Sequence, residues 1–134
     1  MEIQYAYTIL YVKDVPKSIE FYERALGFEK KMLTPENDYG EIKSGTTTLA
    51  FASIELGESN IKKGFIESDK SNKPFGIELA FTTLDVEGTM EKAIENGAIL
   101  LEDAITKPWG QKVGYLKDVN GFLLEICTPI MATE

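Results

Sequence analysis

A chain of 134 residues, 43% of them apolar, is long enough to form one domain with a substantial core. Its net charge of −8 makes nucleic acid an unfavourable partner, because an acidic surface repels phosphate backbones. The absence of histidine and the single cysteine exclude Ser-His-Asp and Cys-His triads, histidine-based zinc sites and an intrachain disulfide.

The first predicted unit has the order βαβββ. Residues 4–12 are rich in Tyr, Ile, Leu and Val, which is typical of a strand. Asp14 is a helix N-cap candidate, Pro16 suits the first helical turn, and Gly27 suits the left-handed position after the last turn. The buried face of this helix is predicted from its spacing as Val15, Ile19, Tyr22 and Leu26. Three short strands are predicted next, at about 28–34, 38–44 and 46–54.

A polar segment at about 56–74 follows and is predicted to link two halves. The second half repeats the same order of elements. Its strand is predicted at 75–83, its helix at 86–96, and its last three strands near 98–103, 110–117 and 121–127. The buried face of the second helix is predicted as Val86, Met90, Ala93 and Ile94. Asn120-Gly121 predicts the final hairpin turn, because this pair accepts positive φ.

The two halves also repeat a sequence pattern. Asp14-Val15 returns as Asp85-Val86, 71 residues later, and both helices are predicted to end at a glycine, Gly27 or Gly97. A period of about half the chain indicates two copies of one supersecondary unit. The predicted fold is α+β, with two tandem βαβββ modules that form a cupped mixed sheet with helices on its outer face. The single domain divides into module 1 (about 1–55), a linker (about 56–74) and module 2 (about 75–129).

Strand alternation predicts a polar face opposite the helices. On the first and last strand of each module, this face collects Tyr7, Ala50, Glu78, Ala80 and Glu125. A glutamate in the middle of a strand is costly if it is buried without a partner, so two on one face predict a wet cleft in which the alanines leave room. The alternative is a face that is simply solvated, as antiparallel sheets allow.

Two aromatic residues are candidates for ligand contacts. Trp109, the only tryptophan, is predicted where a loop enters a strand, and its ring could stack on a planar or cationic ligand. Packing in the core or in a dimer interface is the alternative role for Trp109. Tyr115 is predicted on the same strand face and is the weaker candidate.

The chain resembles the vicinal oxygen chelate superfamily at both ends. The resemblance rests on YVKDV (11–15), SIEFY (18–22) and LGF (26–28), and on KPWG (107–110) and YLKDVNGFLLEI (115–126). This superfamily includes glyoxalase I, bleomycin-resistance proteins, fosfomycin-resistance enzymes and extradiol dioxygenases. The resemblance implies the βαβββ fold derived above, but folds of this kind host many chemistries.

The resemblance implies four metal-ligand positions, which fall here at Tyr7, Ala50, Glu78 and Glu125. Alanine cannot coordinate a metal, and a tyrosine with a pKa near 10 is a reluctant ligand. We therefore expect no metal or other cofactor, or at most a weakly bound divalent cation held by the two glutamates. The metal-free, drug-sequestering branch of the superfamily fits this pattern better.

Three functions remain open from the sequence. The first is a metal-independent small-molecule-binding protein of the bleomycin-resistance type, with a cationic or aromatic ligand held by Tyr7, Glu78, Trp109, Tyr115 and Glu125. The second is a glyoxalase-like lyase or isomerase, or another enzyme of the superfamily, in which Glu125 and Glu78 are catalytic with or without a metal. The third is an interaction module without a small ligand. The resemblance also implies a homodimer.

The start of the chain and its apolar runs predict where the protein is located. Its first residues lack the basic region of a signal peptide, and no apolar stretch approaches the length that spans a membrane. With only Cys127 available for disulfide chemistry, we expect a cytoplasmic protein with no membrane partner.

Overall fold

The computed structural model of the chain describes residues 1–130. Its elements in chain order are β1 (Thr8–Val12), α1 (Val15–Leu26), β2 (Glu29–Leu33), β3 (Tyr39–Ser44), β4 (Thr47–Ser53), α2 (Ile54–Asn60), β5 (Glu78–Thr82), α3 (Val86–Glu95), β6 (Ile99–Thr106), β7 (Lys112–Lys117) and β8 (Leu123–Cys127). The strands form two four-stranded sheets, ordered β1-β4-β3-β2 and β5-β8-β7-β6. The predicted α+β class with two tandem βαβββ modules is confirmed.

Each sheet combines one parallel strand pair with two antiparallel pairs. The first and last strands of a module, β1 with β4 and β5 with β8, run parallel, and the remaining neighbours run antiparallel. The helix and the two strands that lie between them in the chain form the long crossover that such a parallel pair requires. Two compact units result, with the first ending at Glu67 and the second beginning at Ser68.

The two main helices begin with the same hydrogen bond. Asp14 Oδ1 accepts from the backbone N–H of Lys17, and Asp85 Oδ1 accepts from the backbone N–H of Gly88, both at 3.0 Å. Each bond satisfies a donor that the first helical turn leaves without an intrahelical partner. The Asp-Val pattern that occurs twice in the sequence therefore marks the start of each main helix. At the end of α1, Gly27 adopts the predicted left-handed conformation, with φ of 74°.

Each main helix packs against its sheet over a glycine. In module 1, a Cβ added at Gly40 of β3 would collide with Ile19 of α1. In module 2, a Cβ added at Gly114 of β7 would collide with Met90 of α3. These glycines allow the closest approach of helix and sheet, so the two cores are built in the same way.

The structure corrects two residues of the predicted core: Leu26 at the end of α1 is only half-buried, and Ile94 of α3 is exposed. Val86, Met90 and Ala93 are buried on α3, but Ile94 is 42% exposed. Its position on the helix explains this difference, because Ile94 lies at the edge of the stripe that the other three residues define.

The segment between β4 and β5 is more ordered than its polar composition indicates. The helix α2 occupies its first part, and the Ser53 hydroxyl caps this helix by accepting from the backbone N–H of Leu56. Further along, the Lys117 ammonium donates hydrogen bonds to the backbone carbonyls of Lys70 and Asn72 at 2.6 and 3.1 Å. These bonds attach the end of the segment to module 2.

Candidate ligand-binding site

Glu78 and Glu125 lie close together on neighbouring strands of module 2. In the parallel pairing of β5 with β8, Ala80 lies opposite Glu125, and Leu123 lies opposite Glu78. The two glutamates are therefore diagonal neighbours, and strand alternation points both to the same face of the sheet. This is the arrangement that the sequence predicts for module 2.

Tyr115 completes this group from the other side of β8. It lies opposite Glu125 in the antiparallel pairing of β7 with β8. Its hydroxyl donates a hydrogen bond of 3.2 Å to Glu125 Oε1. The pKa of Tyr115 is raised, mainly by partial burial. The hydrogen bond to Glu125 and the negative charge of Glu125 raise it further. Tyr115 therefore remains a neutral hydrogen-bond donor at physiological pH.

The two carboxyl groups influence each other. The main cause that raises the pKa of Glu78 is desolvation by neighbouring groups. The outer surface of the Glu78 side chain is nevertheless exposed. A hydrogen bond with Glu125 and the charge of Glu125 act in the same direction. The negative charge of Glu125 makes ionisation of Glu78 less favourable, and a cation beside both carboxyls would relieve this repulsion. The pair can therefore take up either a proton or a cationic group of a ligand.

A surface depression of about 460 Å³ lies beside Tyr115. It is lined by Glu102, Asp103, Ile105, Lys107, Val113 and Tyr115. Its mixture of apolar, acidic and basic groups suits a ligand with both a hydrophobic body and polar substituents. A larger depression of about 790 Å³ in module 1 is lined largely by solvated charged residues around the start of α1, and none of the predicted site residues lines it. The smaller depression is the better candidate because one predicted site residue, Tyr115, lines it and hydrogen-bonds to Glu125.

Trp109 is held by a residue that the sequence analysis missed. The indole Nε1–H donates to Gln111 Oε1 at 2.8 Å, and Gln111 Nε2 donates to the backbone carbonyl of Thr128 at 2.8 Å. Trp109 is 66% exposed, so it does not pack in the core of the single chain. The hydrogen bond orients the ring while leaving much of its surface accessible. The sequence carries no local signal for this role of Gln111, because it depends on the approach of residue 128.

Cys127 lies on the same strand as Glu125 but is buried. Its thiol faces the backbone carbonyl of Phe81 at 3.7 Å. Burial, followed by the effects of Glu125 and Glu78, raises the pKa of Cys127 to about 11. A thiol with such a pKa is a poor nucleophile at neutral pH, so Cys127 packs in the core.

The strand register confirms that positions 50 and 125 are equivalent in the two modules. Ala50 lies opposite Ile9, and Glu125 lies opposite Ala80, the residue 71 positions beyond Ile9. The carboxylate present in module 2 is therefore missing from this position in module 1. Ala50 is fully buried, so the prediction that it leaves open space is wrong, whereas Ala80 is exposed.

Tyr7 lies in module 1 at the position equivalent to Glu78. It directly precedes β1 and is 45% exposed. The predicted strand at 4–12 is shorter in the structure and begins at Thr8. Each module therefore holds its own part of the predicted residue set, with Tyr7 and Ala50 in the first and Glu78, Glu125, Tyr115 and Trp109 in the second.

These residues are a poor match for a transition-metal site. Over residues 1–130, the structure contains no group of three or more His, Cys, Asp or Glu side chains placed to hold a metal ion. Module 2 contributes two carboxylates, and Zn²⁺ or Ni²⁺ sites are normally built with imidazole or thiolate ligands.

A protein-family model matches residues 4–126 and is described as the Glyoxalase/Bleomycin resistance protein/Dioxygenase superfamily. The chain belongs to this superfamily. The match covers both modules, so the family resemblance of the two sequence motifs is confirmed over nearly the whole chain. No curated protein matches the sequence.

Several solved structures of this superfamily and of uncharacterised proteins share the fold. A glyoxalase-related enzyme from Fulvimarina pelagi superposes with a TM-score of 0.79 at 21% identity, over 95% of this chain and 89% of that one. A hypothetical protein from S. aureus gives 0.76 at 22% identity, over 96% of both chains. A glyoxalase/bleomycin resistance protein/dioxygenase family enzyme from Burkholderia phytofirmans gives 0.76 at 19% identity, over 94% of this chain and 98% of that one. Identities this low establish a common fold and leave the activity to be argued from the site.

In the part of the chain that is described, none of the helices is sufficiently long and apolar to cross a membrane.

Proposed function

We propose that this superfamily member is a metal-independent small-molecule-binding protein of the bleomycin-resistance type. Its ligand would carry a cationic group and a planar or aromatic part. Glu78 and Glu125 would bind the cation, Tyr115 would orient Glu125, and Trp109 would stack on the planar part. Tyr7 is the aromatic contact that we propose for module 1.

The observation that carries this proposal is the Tyr115–Glu125–Glu78 group on module 2, of which Tyr115 lines the depression. Desolvation and the nearby Glu125 raise the pKa of Glu78, so negative charge at this pair is less stable than in water. A ligand ammonium or guanidinium group that hydrogen-bonds to both carboxylates would offset this cost, and such charge-assisted hydrogen bonds are the stronger kind. We therefore expect ligand binding to become weaker in acid, where protons compete with the ligand cation.

Trp109 supports the aromatic part of the proposal. Its ring is exposed and is oriented by Gln111, so it is already placed for stacking and loses little side-chain entropy on binding. A cationic ring system would gain an additional cation–π attraction. Because Trp109 is the only tryptophan of the chain, its fluorescence reports contacts at this position directly.

Calorimetric titration with basic glycopeptide antibiotics and planar quinone antibiotics tests the proposal. Titrations repeated at decreasing pH would reveal the competition by protons, and Trp109 fluorescence would follow the same binding curve. E125Q should weaken binding by about tenfold or more, as for the loss of a hydrogen bond to a charged group. E91Q is the matched control, because it removes the same charge from an exposed position on α3. A uniform absence of heat and of fluorescence change would contradict the proposal.

The raised pKa of Glu78 favours one other function, a proton-transfer enzyme that uses no metal. A carboxyl with a pKa closer to neutrality is a better general acid or base than an ordinary one. Glu78 and Glu125 would then be the catalytic pair for a lyase or isomerase step that begins with proton abstraction beside a carbonyl. Deuterium exchange from D₂O into a panel of α-hydroxy ketones, followed by proton NMR, tests this function. An exchange rate that is unchanged in both E78Q and E125Q would contradict it.

We further propose that the chain forms a homodimer, as its resemblance to bleomycin-resistance proteins implies. Light scattering coupled to size-exclusion chromatography would measure the mass in solution. A mass of 15.0 kDa at all concentrations would correspond to the single chain and would contradict the dimer.

A further inference from the structure

Module 1 carries a tyrosine–glutamate pair that the proposed function does not use. Glu41 of β3 lies opposite Ala50 of β4, so its side chain points to the same face as that buried alanine. Tyr39 lies two residues earlier on the same strand, and its hydroxyl donates a hydrogen bond of 2.6 Å to Glu41 Oε2. We propose that Glu41 and Tyr39 form a second subsite, which binds an organic ammonium group.

The strand register is the first argument for this subsite. Ala50 is equivalent to Glu125, and Glu41 is equivalent to Tyr115, because each lies opposite its counterpart on the last strand of a module. Module 2 therefore places its carboxylate on the last strand and its phenol on the neighbouring strand. Module 1 places both groups on the neighbouring strand. Each module thus keeps one hydrogen-bonded phenol–carboxylate pair on the same face of its sheet.

The state of the Glu41 carboxylate is the second argument. The Glu41 side chain is only 15% exposed, so water does little to stabilise its charge. Tyr39 binds one carboxylate oxygen, and the pKa of Tyr39 is raised by burial and by Glu41, so this hydroxyl stays a donor. The other oxygen, Oε1, faces a cation.

That cation is the ammonium of Lys31, and it is held loosely. Lys31 Nζ lies 3.7 Å from Glu41 Oε1, which is too long for a hydrogen bond, and 3.3 Å from Thr48 Oγ1. The Lys31 side chain is half exposed, so it can turn back into water at little cost. Lys31 therefore stands where an external ammonium group would bind, and a ligand that donates a direct hydrogen bond to Oε1 would displace it.

Amide-resolved NMR titration with benzylammonium tests the subsite without knowledge of the natural ligand. Benzyl alcohol is the uncharged control. In the wild-type protein, benzylammonium should shift the signals of Tyr39, Glu41 and their neighbours, and benzyl alcohol should not. E41Q should weaken this binding about tenfold, as for the loss of a charge-assisted hydrogen bond. K31M should strengthen it about two- to fivefold, because an internal competitor is removed.

The outcomes separate this subsite from the site in module 2. E125Q should leave the module 1 shifts unchanged, since it alters the other module. Shifts confined to module 2 would overturn the subsite while leaving the proposed function intact. Equal affinity in E41Q and wild-type protein, with E41Q still folded by its amide spectrum, would also overturn it. Weaker binding in K31M would overturn the displacement of Lys31, because the lysine would then be part of the binding site.

Discussion

Tyr115 donates a hydrogen bond to Glu125 from the directly opposite position on the neighbouring strand. The pairing is possible because β7 and β8 are antiparallel neighbours whose register brings Tyr115 and Glu125 opposite each other on one face. The proposed ligand site therefore depends on a contact between strands as much as on either residue. The same register in module 1 brings Glu41 opposite Ala50, which moves the carboxylate by one strand.

Replacing Glu78 by glutamine should stabilise the protein at neutral pH. The folded chain raises the pKa of Glu78 above its ordinary 4.5, so folding stabilises the protonated form relative to the ionised form. The stabilisation from this carboxyl is fully present below about pH 4.5 and is lost as the pH rises through the folded pKa. Because Glu78 is exposed, the gain in E78Q should stay below about 1 kcal/mol. Urea unfolding should give a higher midpoint for E78Q at pH 7 and equal midpoints near pH 3.5. A lower midpoint for E78Q at pH 7 would contradict the assignment.

The thiol of Cys127 should react slowly. A pKa of about 11, compared with the ordinary 9.0, lowers the thiolate fraction at pH 8 on the order of 100-fold. Burial lowers the rate further. The rate of alkylation by iodoacetamide, read by mass spectrometry in native and in urea-unfolded protein, measures this protection. Similar rates in the two states would show that Cys127 is not buried in solution.

An alanine at position 114 should destabilise module 2. Its Cβ would enter the space of the Met90 thioether and would lie 3.3 Å from Ala104 Cα. Because the thioether is flexible, we expect a cost near the lower end of the about 1–3 kcal/mol that overpacking causes. Gly76 is the matched control, because a Cβ at this position meets no atom within 4 Å. Thermal unfolding should therefore show a clear loss for G114A and little change for G76A. G114A should destabilise the M90A variant less than it destabilises the wild-type protein, because M90A frees the space that the new Cβ needs. An equal effect in both backgrounds would show that the strain does not come from contact with Met90.

Methionine at position 117 should release the segment that precedes β5. Lys117 is 9% exposed, and its ammonium binds the carbonyls of Lys70 and Asn72, so K117M leaves both acceptors without this donor. Hydrogen bonds to a charged group contribute about 1.5–3 kcal/mol. Limited proteolysis should cleave K117M faster near these residues, with K112M as the control, because Lys112 is a more exposed lysine of the same strand. Equal cleavage rates would indicate that other contacts hold the segment.

Most of the fold could be predicted because its signals are local. Asp14 and Asp85 are polar residues that can cap a helix wherever the following residues are helical, and Asn120-Gly121 favours a tight turn in any context. Strand alternation likewise placed Glu78, Glu125 and Tyr115 on one face before their strands were known to pair. The helix α2 was missed because its seven residues include only a short apolar pattern and follow a strand without a break.

The sequence by itself determined the two βαβββ modules, the starts of their helices and the side of each strand on which a residue lies. Only the tertiary structure decided which residues meet: Tyr115 with Glu125, Tyr39 with Glu41 opposite Ala50, and Gln111 with Trp109 and the backbone at Thr128. The physical reason is the range of the interactions. Backbone preferences and alternation act between near neighbours in the chain, whereas strand register is set by the packing of segments that are far apart in sequence.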